Sequence, residues 1–60
     1  MIERYIIQSI LYPGYFWSEK HNDMSNIMEA SQYISENDAR NTIVSKCTIG
    51  RYQIIKIYIK

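Results

Sequence analysis

Few side chains in this sequence are of the types that carry chemistry. His21 stands between Glu19 and Asp23 in the segment SEKHND, where an imidazole near carboxylates can act in acid–base catalysis or bind a metal. A lone histidine in a polar loop is more often a solvated turn residue, and one histidine with one cysteine gives too few ligands for a structural zinc site. We therefore expect no metal and no cofactor.

The remaining candidates for catalysis are Cys47 and the carboxylates of Glu36 and Asp38. A nucleophilic thiolate needs a neighbouring base or positive charge. Cys47 instead falls on the apolar stripe of a predicted helix, near the C-terminal end, where the helix dipole raises the pKa of a thiol. Helix initiation explains Glu36 and Asp38, and the sequence has neither a phosphate-binding glycine loop nor a hydrolase elbow. We expect that the chain is not an enzyme.

Length and composition indicate what kind of domain holds these side chains. The chain has 60 residues, 47% hydrophobic and 22% charged, which predicts one small globular domain over residues 1–60. A single cysteine excludes an internal disulfide and favours a reducing compartment, so we expect the protein in the cytoplasm. Apolar runs are too short for a signal peptide or a membrane-spanning helix. Acidic residues concentrate in 19–38 and basic residues in 39–60, with a net charge of +1.

Local signals predict the order strand, strand, short third strand, helix, strand. Residues 2–10 are rich in isoleucine and tyrosine and predict a strand. Pro13 and Gly14 predict a turn that returns the chain into a strand over 15–18, giving a β-hairpin. Residues 19–23 predict a loop, and residues 51–59 the final strand. The segment 24–34 fits either a short helix or an edge strand; we favour a loop that ends in a short strand at 30–34.

The helix is marked at its start by Ser35, a preferred N-cap residue, with Asp38 three positions later. Ala39, Ile43 and Cys47 follow at spacings of four and predict a narrow apolar stripe, with Val44 beside it. Gly50 is the predicted end of the helical region.

These elements predict an α+β fold, a small antiparallel or mixed sheet of three to four strands with one helix packed on one face. The final segment, RYQIIKIYIK, carries apolar or aromatic side chains on both faces of its strand. We expect Ile55, Ile57 and Ile59 to face the helix. The residues of opposite parity, Tyr52, Ile54, Lys56, Tyr58 and Lys60, would then lie on the open face.

A single helix cannot cover both faces, so the sequence predicts a partner. We expect a protein or protein complex, and also a second copy of this chain in a homodimer, on the open face. The predicted contact residues are Tyr5, Trp17, Tyr52, Ile54 and Tyr58. The alternative is a single-stranded nucleic-acid-binding protein in which tyrosines stack on bases and cations contact phosphates. That alternative uses Tyr52, Tyr58, Lys56, Lys60 and Arg51, and a net charge of +1 weakens it.

Three segments carry a resemblance, namely PGYFW, ASQYISENDARNTI and GRYQIIKIY. Together they resemble a loose class of small phage and prophage proteins in which a hairpin is followed by a capped helix and a closing strand. The matching positions are Ala30, Tyr33, Ser35, Ala39 and Ile43. The resemblance implies a phage-encoded protein that binds and blocks a host macromolecule such as a defence nuclease.

Overall fold

The computed structural model describes residues 1–47 and 51–60, and within these ranges it has one sheet of four strands and one α-helix. In chain order the elements are β1 (Ile2–Ser9), β2 (Phe16–Ser18), β3 (Asp23–Ser25), a 3-10 turn (Ile27–Glu29), α1 (Glu36–Lys46) and β4 (Tyr52–Ile59). The predicted α+β class is confirmed, with the third strand and the helix in the predicted order.

The strands lie in the order β3-β2-β1-β4, and every neighbouring pair is antiparallel. The longest pairing joins β1 to β4, from Ile2 opposite Ile59 to Ser9 opposite Tyr52. Isoleucine and tyrosine dominate both strands, as expected for side chains that pack well on a pleated surface. β1 is therefore an interior strand, and β4 is the long edge strand of the sheet.

The β1–β2 hairpin turns at the predicted residues. The Tyr15 amide donates to the Tyr12 carbonyl (2.9 Å), which closes the turn around Pro13. Ser9 holds the turn from both sides, because its hydroxyl accepts from the Tyr12 amide (3.0 Å) and its amide donates to the Tyr15 carbonyl (3.0 Å). β2 begins at Phe16, one residue after the predicted start of the returning strand.

The third strand lies earlier in the chain than predicted. Residues 19–22 form a turn in which Asn22 has a φ of 51°, a left-handed conformation that asparagine tolerates well, and the chain then enters β3. In place of a strand at 30–34 there is a single bridge between Tyr33 and Tyr5, each amide donating to the other's carbonyl at 2.8 Å. The ambiguous segment is thus a 3-10 turn followed by one bridging residue.

The predicted helix start is confirmed. The Ser35 hydroxyl accepts a hydrogen bond from the Asp38 amide (3.1 Å), as an N-cap serine does. Glu36 and Asp38 occupy the first turn and Lys46 the last, so all three charges complement the helix dipole. Gly50, the predicted helix end, lies outside the described residues. No helix in the described ranges is long and apolar enough to cross a membrane.

The apolar stripe of α1 packs on the sheet as predicted, except at its margin. Ala39 and Cys47 are buried in the main hydrophobic cluster, and Ile43 packs against it. Val44, which lies beside the stripe in sequence, is exposed. The contact face of α1 is therefore narrow and contains small side chains, which allows the helix to approach the sheet closely.

The helix covers the opposite face of β4 from the one predicted. Its cluster contains Ile7 and Trp17, with Ile54 packed against them. The register places Ile54 directly opposite Ile7, whereas Ile55, Ile57 and Ile59 lie opposite Ile6, Arg4 and Ile2 on the other face. The prediction that Ile55, Ile57 and Ile59 face the helix is wrong.

The physical reason for this error lies outside β4. Both parities of β4 are apolar, so alternation along that strand alone does not choose a face. The choice is made by the neighbouring elements, because Trp17 of β2 and Tyr33 of the bridge contribute their large rings to the cluster around Ile7. The face that receives those rings is the face that α1 completes.

Candidate functional site

All five predicted partner-binding residues lie on the α1 side of the sheet, and four of them help to form its core. Trp17 is buried, with 6% of its surface exposed, and Tyr5, Tyr52 and Ile54 pack against the cluster that contains it. Tyr58 differs, since 58% of its surface is exposed. The open tyrosine face expected from the sequence is therefore not formed, and of the five predicted residues Tyr58 is the one that presents most of its surface to solvent.

The cations of the nucleic-acid alternative do not line an open row of tyrosines. The Lys56 amine lies 3.9 Å from a Glu3 carboxylate oxygen and 5.8 Å from the centre of the Tyr5 ring. Glu3 is the main cause of the raised pKa of Lys56, so its charge is already paired within the chain. Arg51 precedes β4 and Lys60 follows it, and both side chains are exposed.

The charged residues around His21 form structural contacts rather than an acid–base pair. Glu19 accepts hydrogen bonds from the Tyr33 hydroxyl (2.8 Å) and the Lys46 amine (2.9 Å). The hydrogen bond from Lys46 and then that from Tyr33 lower the pKa of Glu19. His21 instead lies 3.5 Å from a carboxylate oxygen of Glu29. Glu19 thus links Lys46, at the end of α1, to Tyr33, the residue that bridges to β1.

The other candidates for chemistry also have structural surroundings. Cys47 is buried, and burial raises the pKa of its thiol, which disfavours the reactive thiolate. Glu36 accepts a hydrogen bond from Arg40 (3.1 Å), a pair one helical turn apart. Among residues 1–47 and 51–60, no three or more His, Cys, Asp or Glu side chains are placed to hold a metal ion.

An exposed apolar surface, not identified from the sequence, lies at the end of the β1–β2 hairpin. We call Ile10, Leu11, Tyr12 and Tyr15 the hairpin tip. Leu11, Tyr12 and Tyr15 have 64%, 66% and 55% of their surfaces exposed. The two tyrosine rings meet edge to face, with centroids 6.5 Å apart, which fixes their relative orientation.

The hairpin tip borders an open groove of about 330 Å³, lined by Ser9, Tyr12, Tyr15 and Met24. Residues 5–18 contain no charged side chain, so the groove and the tip lie in an electrically neutral part of the chain. That charge gap was the sequence signal that could have identified this surface. Pro13 and Gly14 predict the turn, and a turn at these residues exposes the apolar side chains on either side of it.

A second apolar surface lies on the side of the sheet away from α1. We call Ile2, Ile55, Ile57 and Ile59 the isoleucine face. Ile2 and Ile59 are directly opposite each other, and Ile55 and Ile57 continue the row along β4. Ile2 is exposed and the other three are half-buried. This face is the counterpart of the open sheet face that the sequence predicted, but Ile6 and Phe16 on the same side are buried, so it is open only toward Ile2 and Ile59.

The outer side of β4 is a third feature, made of backbone. The Ile10 amide donates to the Arg51 carbonyl (2.9 Å), so residues 10 and 51 are a hydrogen-bonded pair of the antiparallel ladder. Such pairs recur at every second residue. The amides and carbonyls of Ile55, Ile57 and Ile59 therefore point to β1. Those of Ile54, Lys56 and Tyr58 point away from β1, and no strand in the described part of the chain lies on that side.

Comparison of the chain with protein-family models, curated proteins and solved structures finds no match. The geometry therefore offers three candidate contact surfaces, namely the hairpin tip, the isoleucine face and the outer edge of β4. The hairpin tip has the largest exposed side chains of the three, and two of its four residues are tyrosines.

Proposed function

We propose that this chain is a non-enzymatic interaction protein that binds another protein through its hairpin tip. The observation that carries the proposal is the exposure of Leu11, Tyr12 and Tyr15 on one turn. Contiguous large apolar side chains in contact with water are characteristic of interaction sites. Tyrosine in particular is enriched among the residues that dominate binding energy at protein interfaces.

The surroundings of the hairpin tip favour a protein partner with an apolar surface. Residues 5–18 carry no charge, and the cation that the sheet places beside the tip is a single one, Arg51, whose carbonyl accepts a hydrogen bond from the Ile10 amide. The polar groups of the tip are the tyrosine hydroxyls and Ser9 at the groove, which suit hydrogen bonds at the rim of an apolar contact. One arginine beside an uncharged tip is a small number of cations for phosphate contacts, which lowers the rank of the nucleic-acid alternative.

We further propose that the partner is a host protein, and that the chain is a phage-encoded inhibitor of a host macromolecule such as a defence nuclease in the host cytoplasm. Support for this part comes from the resemblance alone. Of its matching positions, Tyr33 and Ala39 are buried and Ser35 caps α1, so the resemblance concerns residues that determine the fold. The contact residues of the hairpin tip lie outside those positions.

The test uses substitutions on the hairpin tip and a matched control elsewhere. Leu11→Ser and Tyr12→Ser each remove one exposed side chain of the tip, whereas Tyr58→Ser removes an equally exposed tyrosine from β4. Each tagged variant is incubated with host lysate, the proteins retained by the wild type are identified, and their affinity is then measured by calorimetry with purified components. We expect the tip variants to bind at least about 30-fold more weakly than the wild type, with Tyr58→Ser close to it.

Two results would overturn the proposal. In the first, a partner binds the tip variants as tightly as the wild type and binds Tyr58→Ser weakly, which would assign recognition to β4. In the second, the wild type binds single-stranded oligonucleotides tightly, with an affinity that falls steeply as salt is raised. Circular dichroism of every variant confirms that a loss of binding is not a loss of fold.

A further inference from the structure

We propose that two copies of this chain pair through the outer edges of their β4 strands, antiparallel, about a two-fold axis that passes Ile57. The two four-stranded sheets then form one continuous sheet. This contact uses a different surface from the hairpin tip, so each of the two proposals can be refuted without affecting the other.

The first reason is the character of the edge. β4 runs over Tyr52–Ile59 without a proline, and its outward amides and carbonyls at Ile54, Lys56 and Tyr58 are spaced as a partner strand requires. Long, regular edge strands of this kind are templates for pairing with another chain. A second copy offers the same edge, and an antiparallel pair about a two-fold axis satisfies both edges equally.

The second reason is that the lysines permit some registers and oppose others. A two-fold axis at residue 56 places Lys56 opposite its own copy, and an axis at residue 58 places Lys56 opposite Lys60 of the second copy. Like charges directly opposite each other destabilise a strand pair. Among the registers that pair most of β4, those centred on residues 54, 55 and 57 avoid both clashes. The lysines, a common protection of edge strands, here select a register rather than prevent pairing.

The side chains then distinguish the three remaining registers. An axis at residue 54 places Ile55 opposite Gln53 and Ile57 opposite Arg51. An axis at residue 55 places Ile57 opposite Gln53 and Ile59 opposite Arg51, so both registers set isoleucines against polar groups. An axis at residue 57 places Ile57 opposite its own copy and Ile55 opposite Ile59, so each isoleucine meets another. On the other face this register sets Lys56 against Tyr58 of the second copy, a cation beside an aromatic ring.

The register centred on Ile57 also joins the two isoleucine faces. The axis is perpendicular to the sheet, so both α1 helices lie on one side and both isoleucine faces lie on the other. Ile55, Ile57 and Ile59 of the two copies become one continuous apolar strip. The contact between the copies is mainly a backbone ladder of about eight hydrogen bonds, with these side chains packed beside it.

The first experiment measures the mass in solution and blocks the ladder. Light scattering of the wild type at about 100 µM is expected to give about twice 7.2 kDa. Lys56→Pro removes an amide that points away from β1, and proline is tolerated at such edge positions. The dissociation constant of the dimer is therefore expected to rise by more than about tenfold. Lys56→Ala, which keeps the amide, is the matched control and is expected to stay dimeric. A monomeric wild type overturns the proposal.

The second experiment tests the register and does not depend on how well the proline variant folds. In a Cys47→Ala background, Ile57→Cys and Ile55→Cys are oxidised separately with glutathione disulfide. Facing residues on the two-fold axis have Cα atoms about 4.5 Å apart, within disulfide range, so Ile57→Cys is expected to crosslink. Residue 55 is then about 13 Å from its own copy and is expected not to crosslink. Crosslinking of Ile55→Cys alone, or of neither variant, overturns the register centred on Ile57.

Discussion

Replacing Ile7 with valine tests whether α1 covers the face of the sheet that the structure indicates. Ile7 is fully buried in the cluster with Trp17 and Ala39, so the lost methylene leaves a space in a packed core. Such a change costs about 1 kcal/mol, against a total unfolding free energy of about 3 to 9 kcal/mol for a domain of this size. The expected fall in melting temperature is about 4–8 °C.

Ile57→Val is the matched control. Ile57 is half-buried on the isoleucine face, and valine favours β-structure as isoleucine does, so we expect a change within about 0.5 kcal/mol. Urea unfolding followed by the fluorescence of Trp17, the single tryptophan, measures both variants. Trp17 is buried in the native state, so its emission reports exposure of the core. All samples are measured at one protein concentration, below that at which light scattering detects association, because Ile57 also lies in the proposed contact between copies and association shifts apparent stability. A loss with Ile57→Val equal to or larger than that with Ile7→Val would refute the assignment of faces.

Three further predictions concern the helix start and two buried groups. Ser35→Ala removes the acceptor for the Asp38 amide and should lower the unfolding free energy by about 1 kcal/mol in urea titrations; no change would mean that the cap does not stabilise α1. Burial raises the pKa of Tyr33 to about 12, so the stability that its neutral phenol gives is complete below about pH 10 and is lost as the pH rises through about 12. Between about pH 10 and about pH 12, the melting temperature should fall less for Tyr33→Phe than for the wild type. Equal falls would show that ionisation of Tyr33 is not the cause of the lost stability. Cys47, whose pKa burial also raises, should react with iodoacetamide much more slowly in the native protein than in urea, and equal rates would show that it is exposed.

The parts of the fold that short local signals determine were predictable from the sequence. Ser35 with Asp38 marked the helix start, because a serine hydroxyl that accepts an amide hydrogen bond needs no tertiary partner. Pro13 with Gly14 located the hairpin turn for the same reason. The α+β class followed from the order of these elements.

The face that α1 covers was not predictable by local reasoning. It depends on where Trp17 and Tyr33 place their rings, and Tyr33 reaches β1 only through the bridge to Tyr5. β3 was missed because Asp23–Ser25 is short and polar, and its pairing with β2 comes from the turn at Asn22 rather than from its own propensity. The error about the face then carried over to the predicted contact residues, since all five lie on the α1 side of the sheet and four of them pack in its core.

The pairing of β1 with β4 also affects how the chain acquires its structure during synthesis. Ile2 lies opposite Ile59, so β1 has its main partner in the strand that is farthest from it along the described chain. Ribosomes add about 5–20 residues per second, so the apolar side chains of β1 wait seconds for that partner, unprotected except by the hairpin. A domain dominated by such distant pairings is expected to fold in milliseconds to seconds rather than microseconds. The apolar side chains of β1 therefore stay without their main partner until β4 has been made, and during that time aggregation competes with folding.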